Sequence, residues 1–163
     1  MKGKLTVTVG DAIDNTAYDK IHGQEDALVS GMSFDELCAY YASKGYHEPY
    51  RVYVIRDAET VLYVGKSIDI PSRLGEHLGL YGRFGPGYPD RIGCVIHENL
   101  PESRSWAVDL LTVTACRKEL GMAMDGLNWD VDKAEREMIR SLRPCVNVTY
   151  NEHGNPLPDQ YRR

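Results

Sequence analysis

The chain has 163 residues, of which 42% are hydrophobic and 26% charged, and its formal net charge is −5 with the histidines neutral. That length supports one domain with a real core plus extensions. No apolar run is long enough to span a membrane and no secretory signal opens the chain, so a cytoplasmic protein with no membrane partner is expected.

In chain order, Lys4-Leu5-Thr6-Val7-Thr8-Val9 reads as a strand. Ser33-Phe34-Asp35-Glu36 fits a capping box, opening a helix through Leu37, Tyr40 and Tyr41 to Gly45. Next come Arg51-Val52-Tyr53-Val54-Ile55 and Val61-Leu62-Tyr63-Val64-Gly65-Lys66, two apolar runs joined by Asp57-Ala58-Glu59-Thr60. Their β-branched and aromatic residues predict a β-hairpin, with Val52 and Tyr53 on opposite faces. A helix follows: Asp69 is its cap and Pro71 sits in the first turn, where the missing N–H is harmless. Gly82 to Tyr88 is a loop, Ile92 to Ile96 is expected as a strand, and Trp106 to Leu120 as a helix with Trp106, Leu110 and Val113 along one side. Val131 to Leu142 is a helix capped by Asp130 and stopped by Pro144. Cys145 to Val148 is extended and pairs into the sheet, and the turn-rich tail from Tyr150 lies on the surface. The mixture predicts an α+β fold, a small mixed or antiparallel sheet flanked by helices in a single domain.

The four cysteines, Cys38, Cys94, Cys116 and Cys145, are scattered with no CxxC pair, which argues for reduced thiols rather than a zinc site or disulfides. No internal repeat or low-complexity segment is present.

Five polar residues after the first strand can all handle a phosphate: Tyr53, Tyr63, Lys66, Arg73 and His77. Arg73 and His77 are four apart and share a helix face. Taken singly, each has an ordinary explanation, packing for the tyrosines and solvated surface for the cations. Gly65-Lys66-Ser67 is not the end of a P-loop, because Thr60 stands where that motif needs glycine.

A second clue lies downstream. The apolar face of the 131–142 helix is Val131, Ala134, Met138, Ile139 and Leu142, and Glu135 falls inside that stripe. A carboxylate on a packing face is unfavourable unless it is paired or binds a metal. Asn147, just beyond, stays in reach of the same place.

Together these residues make a chain that resembles the GIY-YIG nuclease superfamily. The hairpin motif stands here as Arg51-Val52-Tyr53 and Tyr63-Val64-Gly65, followed at the usual spacings by Lys66, Arg73 and His77. The ending Glu135, Arg143-Pro144 and Asn147 is similar to the closing helix of that family. The resemblance covers residues 51–150, with an insertion at 78–130; residues 1–50 form an N-terminal extension and 151–163 a C-terminal tail. Two departures stand out, the insertion and Arg51. Arg51 replaces the first glycine of the motif, which narrows access or adds a phosphate contact.

The resemblance implies a DNA endonuclease with one divalent cation, Mg²⁺ or Mn²⁺, held by Glu135; magnesium suits one carboxylate plus waters and phosphate oxygens. Tyr53 is then the general base, with Lys66 as the cation that lowers its pKa. Arg73 binds the scissile phosphate, His77 contacts it or assists the leaving group, and Tyr63 and Asn147 position phosphate and water. Arg51, Ser67, Arg83 and Arg91 are further expected nucleic-acid contacts. The partner is DNA, duplex or branched, with a partner protein possible through residues 1–50.

Charge weighs against this mildly. Residues 1–50 hold four Lys against eight Asp or Glu, whereas residues 51–163 hold fifteen Lys or Arg against sixteen Asp or Glu. The nuclease-like part is nearly neutral and needs a local basic groove from Lys66, Arg73, Arg83 and Arg91, with Arg162 and Arg163 on the tail, and salt-sensitive binding. The rival expectation is an inactive nucleic-acid-binding or protein-interaction domain with the same fold.

Overall fold

The computed structural model describes residues 3–21, 33, 36, 50–80, 89–121 and 130–161. Its fold is α+β, as the sequence leads one to expect. Four strands, β1 (Lys4–Thr8), β2 (Val52–Arg56), β3 (Val61–Lys66) and β4 (Ala107–Leu111), form one sheet in the order β1-β4-β2-β3. Every pairing is antiparallel.

The alternation of β2 sorts the core into two layers. Tyr53 and Ile55 face one side, where they meet Val9 and Ala12 of α1 (Val9–Ile13), Ile70 and Leu74 of α2 (Ile70–His77), and Ile92, Val95 and Ile96 of α3 (Arg91–Glu98). Val52 and Val54 face the other, against Ala115 and Cys116 of α4 (Val113–Glu119) and Ala134, Met138 and Ile139 of α5 (Val131–Leu142). The sheet is thus buried on both faces, which is why β2 is apolar almost throughout.

Local signals account for most boundaries. Asp69 caps α2 through its bond from Ser72 N, with Pro71 in the first turn, and Asp130 caps α5 through Lys133 N. Helix α5 ends where Arg143 turns left-handed, at φ 51°. In the hairpin turn, Asp57 accepts from the Glu59 and Thr60 amides. Thr8 closes β1 and begins α1 in a capping box with Asp11, so Val9 belongs to the helix rather than to the strand.

Two expected elements are corrected. Residues 92–96 are helix, not strand. Ile92, Val95 and Ile96 recur at helical spacing, and Asp90 caps the segment through Gly93 N. The expected helix from Trp106 to Leu120 is strand β4 followed by α4. Ala107 to Leu111 pairs with both β1 and β2, and Thr112 caps the helix through Ala115 N at 3.1 Å. Asp109 sits inside β4 because Arg56 and Thr6 on the two flanking strands both bond its carboxylate, at 2.6 Å each.

Cys145 N and Val146 N donate to Val61 O and Leu62 O, so this segment lies along the outer edge of β3; it bends there and is not the extended, paired strand expected. The tail returns to the body of the fold: the Tyr161 ring packs against Trp106 and its hydroxyl donates to Asp57. Glu36 N donates to Ser33 Oγ at 3.2 Å, one half of the expected capping box. The remainder of that helix, Cys38, the 82–88 loop, Arg83, Arg162 and Arg163 lie outside the described residues. Among the described residues, Cys94, Cys116 and Cys145 form no disulfide. Among the described residues no helix is long and apolar enough to cross a membrane.

Candidate active site

The site is built around the free edge of the sheet, where β3, α2, the start of α3 and α5 meet. Tyr53 points from the middle of β2 into the α2–α3 layer and is 0% exposed. Its neighbour across the ladder is Gly65, and a Cβ there would overlap the Tyr53 ring and hydroxyl. Gly65 therefore makes room for Tyr53.

The Tyr53 hydroxyl lies 2.6 Å from His77 Nε2. His77 is itself buried, and its Nδ1 bonds the carboxylate of Asp90. Asp90 is the cap of α3, so one carboxylate holds the helix start and the histidine together. An ionised Asp90 accepts from Nδ1–H. In the neutral ring Nε2 is then the acceptor, and the Tyr53 O–H donates to it. Close packing makes this possible: a Cβ at Gly93 would overlap the His77 carbonyl, so α3 approaches α2 at a glycine. The Tyr63 ring stacks edge-on against His77, with centroids 5.0 Å apart.

Burial pushes the Tyr53 hydroxyl well above its ordinary range, and the nearby charge and hydrogen bond of Arg73 offset this in part. The expectation that Lys66 lowers the Tyr53 pKa is corrected on both counts. The cation acting on Tyr53 is Arg73, whereas Lys66 pairs with Asp132 at the exposed end of β3, and the net shift is upward. Tyr63 is raised too, by burial first, against the charge of Arg73. Burial also acts to raise Asp90, but its bonds with His77 and Gly93 N and the charge of Arg73 outweigh it and hold the carboxyl below its usual range.

Glu135 projects from α5 towards the same edge. Burial raises its carboxyl, Asp132 adds to the rise, and the charges of Lys66 and Arg73 oppose it. Arg73 thus acts on Tyr53, Tyr63, Asp90 and Glu135 alike. Its guanidinium pairs with Glu76 at 2.8 Å. Asn147 clasps β3, with Oδ1 accepting from Val64 N and Nδ2 donating to Val64 O, both at 2.8 Å. Tyr63, Asp90, Arg91, Glu135 and Asn147 line one groove of about 430 Å³.

Among the described residues no cluster of three or more His, Cys, Asp or Glu is poised to hold a metal. A single half-buried carboxylate on a groove wall is nevertheless a donor that suits magnesium, which keeps several waters and takes one or two carboxylates plus phosphate oxygens. Glu135 fits that pattern.

Of the expected nucleic-acid contacts, Arg91 is exposed on the groove wall. Arg51 instead donates to Ile68 O at 3.2 Å, bracing the β3–α2 connection, and Ser67 Oγ accepts from Asp69 N at 3.0 Å. Neither lines the groove. The important residue that sequence reasoning misses is Asp90. The signal for it is an Asp immediately before an i, i+3, i+4 apolar pattern, which marks a helix cap.

Compared with known proteins, the chain matches no family model, no curated protein and no solved structure.

Proposed function

We propose that this chain is a metal-dependent endonuclease of the GIY-YIG type, hydrolysing phosphodiester bonds of DNA. The observation that carries this reading is that Tyr63, Asp90, Asn147 and a half-buried Glu135 line one groove, with the charge of Arg73 acting on Tyr63 and Glu135 and the buried Tyr53–His77 pair joined to the groove through Asp90. These residues come from β2, β3, α2, α5 and the segments before α3 and after α5, and a packing role alone gives no reason for a carboxylate, a guanidinium and a Tyr–His–Asp chain to lie together.

Arg73 is the residue for the scissile phosphate: it carries the fork geometry that a phosphate matches, and exchange of its half-exposed bond to Glu76 for a phosphate is a small change. Tyr53 is the base towards water, and its raised pKa shapes how it works. As the hydroxyl takes a proton from water, its own passes to His77 Nε2, so a free phenolate need never form. Asp90 then stabilises the imidazolium and keeps the ring in the productive tautomer, the logic of a serine–histidine–aspartate triad with a different first member. A divalent cation, bound by Glu135, would supply charge neutralisation at the phosphate and the leaving oxygen.

The alternative, a binding domain without catalysis, has one observation in its favour. Tyr53 is withdrawn from solvent, and Lys66 and Arg73 are already engaged by Asp132 and Glu76. The deciding experiment is nicking of supercoiled plasmid and of a branched DNA with magnesium or manganese. Cleavage by the wild type that is lost in Glu135→Ala supports the nuclease. Binding of both DNAs with no cleavage of either supports the alternative.

A further inference from the structure

The groove at the candidate active site does not end there. It shares Val148 and Tyr150 with a second groove of about 540 Å³, whose other wall carries Arg140, Arg143 and His153. Val148 is 74% exposed and Tyr150 47%, an apolar and an aromatic surface left open beside cations. The guanidinium carbons of Arg136 and Arg140 lie 5.8 and 6.0 Å from the centre of the Tyr150 ring.

This wall is held in place. Tyr150 has a left-handed backbone, at φ 61°, in a conformation that non-glycine residues adopt reluctantly. Asn151 ties the turn down by donating to Pro144 O at 2.7 Å and to Asn147 O at 2.8 Å. Asn147 is the residue that clasps β3 at the candidate site, so the aromatic platform and the site share one anchor. The Arg143 Nε donates to the His153 carbonyl, which fixes the plane of the guanidinium.

We infer that this second groove is a binding site for a single nucleic-acid strand, the stretch flanking the phosphate that lies at Glu135. Arg140 and Arg143 take backbone phosphates, and a splayed base stacks on Tyr150. An aromatic face open beside cations that track a groove is the pattern that binds single strands without reading sequence. The pair between Arg140 and Glu137, at 3.2 Å, is exposed and readily exchanged for a phosphate. The inference rests on the nucleic-acid reading of the neighbouring site.

The test is fluorescence anisotropy of a labelled single-stranded oligonucleotide, over a series of salt concentrations. The Arg140→Gln/Arg143→Asn double variant keeps a residue tolerant of the left-handed cap. It is expected to lower the magnitude of the slope of log affinity against log salt by about 1.4, two single-strand phosphate contacts. Tyr150→Asn is expected to weaken binding about tenfold, as loss of one stacked base does. Glu152→Lys, exposed on the same wall, is expected to tighten binding severalfold, and it supplies the test should the other variants fold poorly. Wild-type affinity and salt slope in folded variants, with no gain from Glu152→Lys, would overturn the inference. Equal competition by polyglutamate would also overturn it, in favour of an acidic protein partner. Metal-dependent plasmid nicking that persists in either case leaves the nuclease reading standing while the groove fails; loss of nicking and binding in the wild type sinks both.

Discussion

The hydroxyl of Tyr53 lies 2.6 Å from Nε2 of His77, with both side chains shut away from solvent. A buried imidazole nitrogen needs a partner, and Tyr53 is that partner. Tyr53→Phe removes it without changing the ring. The stability loss expected is about 1–3 kcal/mol, the penalty of an orphaned buried polar atom. If the hydroxyl also handles the proton of water, cleavage falls by a factor on the order of 10²–10⁴. Urea denaturation and plasmid nicking on the same preparation separate the two. A destabilised variant that cleaves like the wild type would confine Tyr53 to packing.

Asp90 does two jobs, and two substitutions separate them. Asp90→Ala loses the cap of α3 and the partner of His77. Asp90→Asn keeps a capping oxygen for Gly93 N and loses the charge. The alanine variant is expected to be less stable than the asparagine variant by about 1 kcal/mol, while both lose most of the cleavage rate. The pH dependence has a definite sign. The folded-state carboxyl is held below its ordinary range, so its stabilising contribution is complete above the unfolded value of about 3.9. It is lost as pH falls through the folded value. The stability gap between wild type and Asp90→Asn should therefore narrow progressively below about pH 4. A gap that stays constant down to pH 2 would contradict the assignment.

Gly93 permits the contact on which that pairing depends. A Cβ there meets the His77 carbonyl, which is backbone and has little freedom to move. Gly93→Ala is expected to push α3 away from α2 and to destabilise by about 3 kcal/mol or more, towards the upper end for overpacking. The readout is thermal unfolding together with the chemical shifts of the His77 ring. An unchanged melting temperature would show that the helices separate without penalty.

The parts of the site that are legible in the sequence are those whose local signals agree. The β2–β3 hairpin has β-branched strands and an Asx turn at Asp57, and α5 has a cap at Asp130, an apolar stripe and a proline stop. Glu135 stands out against that stripe without any knowledge of its neighbours. The 92–111 region misleads because its signals conflict. Ile92 to Ile96 is a short apolar run, and the period of such a run does not separate strand from helix. In Trp106 to Leu120 a strand and a helix abut at Thr112, so their apolar residues line up by chance as one helical stripe. The partners of Asp109, Arg56 and Thr6, come from the two flanking strands, which the expected helix does not bring together. Asp90 is hidden by the same error, since a cap has no meaning before a strand. The pairings of Arg51 and Lys66 are side-chain contacts with a loop carbonyl and a distant helix, which no local pattern encodes, whereas that of Ser67 is a local turn with Asp69 N.

Glu135 supplies a prediction in which pH and metal act in opposite directions. Its carboxyl is raised in the folded protein, chiefly by burial. For an acid shifted upwards, the native state binds more protons than the unfolded chain between the two pKa values, so stability falls as pH rises through that window. Below the unfolded value of about 4.3 the group is protonated in both states and the effect is absent. Glu135→Gln removes the charge. The variant should therefore be more stable than the wild type at pH 7–8 and indistinguishable from it below about pH 4. Magnesium bound to the native carboxylate stabilises by mass action. Millimolar magnesium is accordingly expected to raise the melting temperature of the wild type at pH 7.5 and to leave Glu135→Gln unmoved. Scanning calorimetry of both proteins, with and without the metal and at both pH values, reads all of this. Equal stability at pH 7.5 would remove the buried-charge argument. An equal response of the two proteins to magnesium would place the metal somewhere other than Glu135.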